Sequence, residues 1–149
     1  MMLQKLEINT EIQIQKPVSE VFEAIVNPSK MSKYFISKST GHMEEGKKII
    51  WNFPEFDVDV PIKVCKMEKD RYISYSWDID DQELLVEITL TSKENNSTLV
   101  SITEKSRDCD DLGIIWLKRN TAGWTNFLAC LKAFLEYGIN LRKGAFDFL

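Results

Sequence analysis

The stretch WLKRNTAGWTNFLACLKAFLEYGINLR, residues 116–142, decides the fold, because its apolar side chains recur at helical spacing. One apolar stripe steps along it by fours and threes, and a second stripe lies directly beside the first. The two stripes cover about half of the helix circumference, whereas a simple surface helix needs a stripe only ~100° wide. The pattern therefore predicts a long C-terminal helix whose apolar side requires a concave partner.

Upstream of this helix, apolar and polar residues alternate with a period of two, as they do in half-buried strands. Residues 4–16 form the first such run, and Pro17 stops it. Five later runs place on one face Ile49, Trp51, Phe53, Val58, Val60, Ile62, Val64, Ile73, Tyr75, Trp77, Ile79, Leu84, Val86, Ile88, Leu90, Val100 and Ile102. Turn-forming breaks separate the runs at 44–46, 54–55, 68–70, 80–81 and 94–96. We therefore predict antiparallel hairpins with one apolar face.

Two short helices are predicted after the first strand. The first spans Val18–Val26, and Asn27-Pro28 ends it because a residue before proline disfavours the helical region. Ser29 is the expected cap of the second helix, which runs from Lys30 to about Tyr34. The fold class is thus α+β: a curved antiparallel sheet of about seven strands wrapped around a long C-terminal helix, in one domain over residues 1–149.

Composition narrows the classes of function. The 149 residues suit one domain, and the net charge of -4 argues against a nucleic-acid protein, which needs a clustered basic surface. No segment approaches the ~20 apolar residues of a membrane span, and the start lacks the apolar stretch of a signal peptide. The three cysteines are odd in number, lie far apart and form no CxxC pair: Cys65, Cys109 and Cys130. We therefore expect reduced thiols in a cytoplasmic protein.

Three stretches resemble a known family: VSEVFEAIVNP at 18–28, YISYSW at 72–77 and GWTNFLACLK at 123–132. They are similar to the opening helix, a middle strand and the final helix of the helix-grip superfamily, which includes the pollen allergen Bet v 1 and the START lipid-transfer domains. The narrower resemblance is to bacterial proteins related to the C-terminal domain of Aha1, the activator of the Hsp90 ATPase. Tyr34 departs from the pattern, since these proteins often carry tryptophan there.

The resemblance implies a helix-grip fold with a cavity between sheet and helix, and it transfers no catalytic residue. It suggests two kinds of partner. One is a small hydrophobic or amphipathic, lipid-like molecule held in the cavity, and the other is an Hsp90-type chaperone on which the domain docks. We favour the ligand-binding protein, keep the chaperone module as the alternative, and place an enzyme third.

The residues that periodicity places inward form the predicted ligand site. Its lining consists of Trp51, Phe53, Tyr75, Trp77, Trp124, Phe127, Leu128 and Leu131. Core packing is the alternative for each of them, because aromatic side chains dominate ordinary protein interiors. Ligand pockets are mostly apolar with a few polar anchors, and we expect the Tyr75 hydroxyl and the indole N–H groups to be those anchors.

The sequence offers little for catalysis. His42 is the single histidine, and it follows Gly41 in a predicted turn without a nucleophile elbow, so we expect an exposed loop residue. The acidic run at 108–111 lacks the ligand spacing of a calcium loop and is expected to cap the long helix. Because periodicity also places almost no titratable side chain inward, we predict no catalytic residue, no metal site and no cofactor.

The chain ends on an apolar tail, GAFDFL at residues 144–149. Arg142 and Lys143 are placed to offset the negative end of the helix dipole, and Gly144 is expected to close the helix. Exposed apolar surface costs ~25 cal/mol per Å². We therefore expect Phe146 and Phe148 to be buried, either against their own domain or across a homodimer contact, and a frayed tail is the alternative.

Overall fold

The computed structural model describes residues 3–149, and within them the chain forms seven strands and three helices. In chain order these are β1 (Lys5–Ile14), α1 (Val18–Val26), α2 (Pro28–Met31), β2 (Lys38–Ser39), β3 (Lys48–Phe53), β4 (Phe56–Glu68), β5 (Tyr72–Ile79), β6 (Gln82–Lys93), β7 (Ser97–Asp108) and α3 (Asp111–Tyr137). The strands form one antiparallel sheet in the order β1-β7-β6-β5-β4-β3-β2. The predicted α+β class and its helix-grip arrangement are confirmed.

The hairpin turns fall where the sequence predicts them. Asp80 and Asp81, with φ of 50° and 62°, join β5 to β6. Asn95 and Asn96, with φ of 62° and 54°, lie between β6 and β7. Asp and Asn tolerate this left-handed region better than other non-glycine residues, because their short polar side chains bond to the local backbone. The turn chemistry therefore sets the register of the three neighbouring strands β5, β6 and β7.

Irregular pairing bends the sheet. The register shifts between Trp51 and Phe53 in β3 and between Val64 and Met67 in β4. Such bulges add local twist and curve the strand that carries them. Val58 lies in the first of these irregularities, between the pairs Trp51–Val60 and Phe53–Phe56, and it is 57% exposed, so the apolar face predicted for this strand does not bury Val58.

The N-terminus of α3 is fixed by a cap and by a close backbone approach. The Asp110 side chain accepts a hydrogen bond of 2.8 Å from the Gly113 N–H, which confirms the capping predicted for the acidic run. A Cβ atom on Gly113 would lie 1.9 Å from the Asp108 carbonyl oxygen. Glycine at this position therefore allows α3 to start directly against the end of β7.

The C-terminus of α3 lies earlier than predicted. Gly138 adopts a left-handed φ of 66°, and its N–H donates to the Phe134 carbonyl at 2.9 Å. The Ile139 N–H donates to the Ala133 carbonyl at 3.3 Å and completes the closing turn. The expected continuation to Arg142 and the closure at Gly144 are wrong, because Gly138 takes the terminating conformation first.

The second short helix also differs from its prediction. It starts at Pro28 rather than Lys30, and the Asn27 side chain, not Ser29, caps it by accepting from the Ser29 N–H at 3.0 Å. Proline is well suited to the first helical position because it has no N–H to leave unpaired. Asn27-Pro28 thus ends α1 and starts α2 at once.

The apolar face of the sheet and the buried side of α3 form one core. Its largest fully buried side chains are Trp51, Trp116, Tyr34, Tyr75 and Phe127. The Tyr34 hydroxyl donates to the Ala24 carbonyl at 2.9 Å, which ties the segment after α2 to α1. Among residues 3–149, no helix is long and apolar enough to cross a membrane.

The C-terminal tail is only partly covered. Phe146 is half-buried and lies 5.0 Å from the Arg142 guanidinium, whereas Phe148 is 80% exposed. The expectation that Phe148 packs on its own domain is therefore wrong, because the turns after Gly138 carry it away from the core. Its burial in a homodimer contact stays a prediction.

A polar clamp joins the last turns of α3 to β1. The Glu136 carboxylate accepts from the Lys132 ammonium at 2.5 Å and from the Gln15 N–H at 3.0 Å. The same ammonium donates to the Gln13 carbonyl at 2.8 Å. Burial alone would raise the pKa of Glu136, but these donors outweigh it, and the pKa lies below its ordinary value of 4.5.

We predict that this clamp makes the free energy of unfolding depend on pH in the acidic range. A carboxylate whose pKa is lowered by folding stabilises the protein above its unfolded pKa, and that contribution is lost as the pH falls through the folded pKa. The unfolding free energy should therefore drop between about pH 5 and pH 3, and Glu136→Gln should weaken that drop. Urea denaturation at each pH measures it, with the exposed Glu94→Gln as the control. An unchanged pH profile in Glu136→Gln contradicts the assignment.

Candidate functional site

A cleft of about 200 Å³ opens where α3 crosses the ends of β3 and β5. It is lined by Phe35, Phe53, Trp77, Ile79, Asn120, Gly123, Trp124 and Arg142. Gly123 contributes space, since a Cβ atom there would meet nothing within 4 Å. We call this hollow the cleft; it is the apolar opening between the sheet and α3.

Aromatic rings packed edge-to-face and at tilted angles form the walls of the cleft. Trp77 of β5 and Trp124 of α3 have ring centroids 5.7 Å apart, which brings the sheet and the helix together. Phe35 packs on Phe53 at 5.1 Å and approaches Trp124 at 6.3 Å. Rings held by such contacts have few alternative rotamers in a packed environment, so the cleft has preformed walls.

Behind these walls lies a fully buried carboxylate, Glu104 of β7. It is 0% exposed. One oxygen accepts from Trp77 Nε1 at 2.7 Å, and the other accepts from Trp124 Nε1 at 3.0 Å and from Asn120 Nδ2 at 2.9 Å. Its partners are donors only, which is the pattern of an ionised carboxylate. Glu104 thus joins β5, β7 and α3 at one point.

Three N–H groups have to offset the desolvation of this charge. Within residues 3–149, no Lys, Arg or His nitrogen lies within the 4.0 Å of an ion pair with Glu104. Burying an unpaired charge is costly, and hydrogen bonds to the charged form recover part of that cost. The two indole rings are therefore oriented by the carboxylate as well as by packing.

Tyr75 lies beside this network without joining it. Its ring packs edge-on against Trp77 at 5.3 Å, and its hydroxyl has no hydrogen-bond partner among the described residues. Burial raises the pKa of Tyr75 well above its ordinary value, and the Glu104 charge raises that pKa further. Tyr75 therefore stays neutral, and its ring packs in the core behind the cleft.

Arg142 lies at the mouth of the cleft. Its guanidinium donates to both oxygens of Glu55, at 2.6 Å and 3.2 Å, in a bidentate pair that is largely buried. The same group lies 5.6 Å from the ring centroids of Phe35 and Phe53. Arg142 therefore joins the segment after α3 to the β3–β4 hairpin across the opening.

The structure divides the predicted ligand-lining residues into two groups. Phe53, Trp77 and Trp124 line the cleft. The other five lie behind it in the core, each at most 2% exposed: Trp51, Tyr75, Phe127, Leu128 and Leu131. Binding of a ligand by any of these residues stays a prediction.

Two expectations about polar groups need correction. The indole N–H groups of Trp77 and Trp124 are not free anchors for a ligand, because both are engaged by Glu104. The expectation of almost no inward titratable side chain missed Glu104 itself. Its parity with Val100 and Ile102 on β7 was a usable signal, since alternate residues of a strand share a face.

Sequence reasoning also missed Phe35, Asn120 and Arg142 as cleft residues. Asn120 precedes Trp124 by four positions, so helical spacing places both on one side of α3. Phe35 and Arg142 lie in irregular segments, where periodicity gives no direction. Only the assembled fold brings these two together.

Other candidate chemistry lies elsewhere or does not assemble. His42 is exposed between β2 and β3, as expected of a loop histidine. In the described part of the chain, no three His, Cys, Asp or Glu side chains are grouped to hold a metal ion. A larger hollow of about 670 Å³ lies under the tail and shares Phe35 and Arg142 with the cleft, and charged side chains such as Glu55, Lys143 and Asp147 also line it.

We predict that Glu104→Gln lowers the free energy of unfolding by about 2 kcal/mol. The glutamine NH₂ would replace one carboxylate oxygen, and the N–H group that now donates to that oxygen would lose its acceptor. Trp77→Phe should cost less, and the double variant should cost less than the sum, since the two residues share one bond. Urea denaturation measures all three, with Glu94→Gln as an exposed control. A loss under about 0.5 kcal/mol in Glu104→Gln would show that these bonds do not hold the fold.

Comparisons with solved structures place the fold among known proteins. A protein of Staphylococcus saprophyticus is 31% identical, with a TM-score of 0.82 over 92% of this chain and 96% of that one. An Aha1 dimer from Colwellia psychrerythraea is 20% identical, with a TM-score of 0.76 over 89% and 98%. CalU16 of Micromonospora echinospora is 17% identical, with a TM-score of 0.67 over 93% and 88%.

The sequence itself matches a family. None of the curated proteins matches the chain. The model of the family described as activator of Hsp90 ATPase homolog 1-like protein matches residues 15–136. This match covers most of the sheet and α3, including Glu104 and all of the cleft residues except Arg142. The chain therefore belongs to the family of activator of Hsp90 ATPase homolog 1-like proteins.

Proposed function

We propose that this protein binds a small apolar or amphipathic molecule in the cleft between the sheet and α3. The observation that carries the proposal is the set of four aromatic walls, Phe35, Phe53, Trp77 and Trp124, around an open space. Asn120 and Arg142 add polar groups at its edge. Ligand sites are typically apolar hollows of this kind with few polar groups.

The size of the cleft favours a compact ligand. Its volume of about 200 Å³ is below the ~300–1,000 Å³ of typical ligand pockets, so one or two fused rings fit better than a long acyl chain. Release of Arg142 would join the cleft to the hollow under the tail, because both are lined by Phe35 and Arg142. A larger ligand would need that movement.

Binding fits the site better than catalysis does. A general acid or base must reach a substrate proton, and both Glu104 oxygens are already engaged by N–H donors. Arg142 is likewise held in its pair with Glu55. The three free cysteines fit a protein of a reducing compartment, and we propose that it works in the cytoplasm.

A second candidate is docking on an Hsp90-type chaperone, supported by the description of the family. The first turns of α3 expose Leu112, Ile114 and Ile115 at 56%, 40% and 45%. Exposed apolar side chains grouped in this way are typical of protein contacts. A homodimer is a further use of such a surface, and sedimentation separates it from chaperone binding.

The ligand proposal is tested with 1-nitronaphthalene, a neutral aromatic probe of two fused rings whose nitro group quenches tryptophan emission. We expect saturable quenching of tryptophan emission in the wild-type protein, because Trp77 and Trp124 form the walls. Gly123→Phe should weaken binding at least about tenfold, which corresponds to 1.4 kcal/mol, by filling the space.

Ala122→Phe is the matched control, since Ala122 is exposed and lies outside the cleft. It adds the same side chain one position away and should leave the affinity unchanged. Equal probe affinity for Gly123→Phe and the wild-type protein would place the binding elsewhere, and no saturable binding to the wild type would reject the proposal.

A further inference from the structure

We infer that the cleft prefers a ligand that carries a positive charge, such as an aromatic amine, over neutral and anionic molecules of the same shape. The inference rests on the proposed function, because it names the ligand class of the same site. It depends on the balance of charges around the cleft, on the rings that face the opening, and on the depth at which the unbalanced charge lies.

Glu104 has no ion-pair partner among the described residues, whereas both arginines near the cleft have one. Arg142 is neutralised by Glu55 through two hydrogen bonds of 2.6 Å and 3.2 Å. The Arg107 side chain is 3% exposed and forms an ion pair of 2.9 Å with Asp80. Asp80 follows the cleft residue Ile79 in the sequence. Glu104 has hydrogen bonds to neutral groups only in the described part of the chain.

The position of Glu104 makes this charge effective inside the cleft. Its three hydrogen-bond donors are Trp77, Trp124 and Asn120, and each of these residues lines the cleft. A ligand in the cleft would therefore be separated from the carboxylate by a single layer of side chains. Water screens a fully buried charge far less than an exposed one, so its field acts across that layer.

The rings of the cleft already accept a cation. The Arg142 guanidinium lies 5.6 Å from the centroids of both Phe35 and Phe53, within the range of cation–π attraction. The indole rings, whose N–H groups donate to a carboxylate, are the better acceptors of this kind. A ligand ammonium group next to Trp77 and Trp124 would gain attraction from the rings and from Glu104 together.

Three probes of one shape test the inference: 1-naphthylmethylamine, 1-naphthalenemethanol and 1-naphthoate, which are cationic, neutral and anionic at neutral pH. Calorimetric titration gives each Kd for the wild-type protein. We expect the amine to bind about tenfold more tightly than the alcohol, and the carboxylate to bind most weakly. Gly123→Phe should weaken all three, which places them in the cleft.

Two variants remove the charge in different ways. Glu104→Gln deletes it, and Asn120→Lys places an ammonium group at the half-buried position whose amide now donates to Glu104 at 2.9 Å. Either should clearly reduce the preference for the amine over the alcohol, to no more than the part that the aromatic rings supply. Asn120→Lys keeps the test open if Glu104→Gln does not fold, and Glu94→Gln controls for net charge.

The outcomes separate this inference from the proposed function. Binding of all three probes without preference, or tightest binding of the carboxylate, would overturn the inference and leave the binding site intact. An amine preference of undiminished size in both variants would also overturn it, since the preference would then not come from Glu104. Binding of none of the probes would reject the proposed function and the inference with it.

Discussion

The buried carboxylate of Glu104 is the constraint on which the arrangement of sheet, helix and cleft depends. A charge with no solvent exposure needs donors, and its donors come from β5 and from two positions of α3. If α3 turned or slid along the sheet, at least one of those bonds would break and leave a desolvated charge underpaired. Apolar burial holds α3 on the sheet, and Glu104 selects the one position in which it sits.

The same constraint gives the cleft its character. Because their N–H groups point at Glu104, Trp77 and Trp124 present rings rather than donors to the opening. Arg142 and Glu55 then close the other side with a pair that carries no net charge. The cleft is therefore an aromatic hollow with the Glu104 charge behind its wall. The residues that form the wall also make packing contacts and hydrogen bonds that hold the fold.

Local rules were enough to predict most of the fold. The strands followed from alternation and the turns from residues such as Asp80 and Asn95, because both signals act within a few positions. The end of α3 was missed because apolar periodicity continues past Gly138, while the left-handed backbone there stops the helix. The cleft was harder, since Glu104 and Trp77 lie 27 positions apart, and only the folded sheet shows that one satisfies the other.

Hydrogen exchange of the indole N–H protons, followed by NMR with residue-specific assignment, tests the role of Glu104 most directly. We expect slow exchange for Trp77 and Trp124 that accelerates strongly in Glu104→Gln. Trp116 is the internal reference for global opening, since its Nε1 is buried without a hydrogen-bond partner among the described residues, and the acceleration of Trp77 and Trp124 should exceed that of Trp116. Fast exchange of Trp77 and Trp124 in the wild-type protein, or equal rates in the variant, would show that Glu104 does not hold the two indole N–H groups.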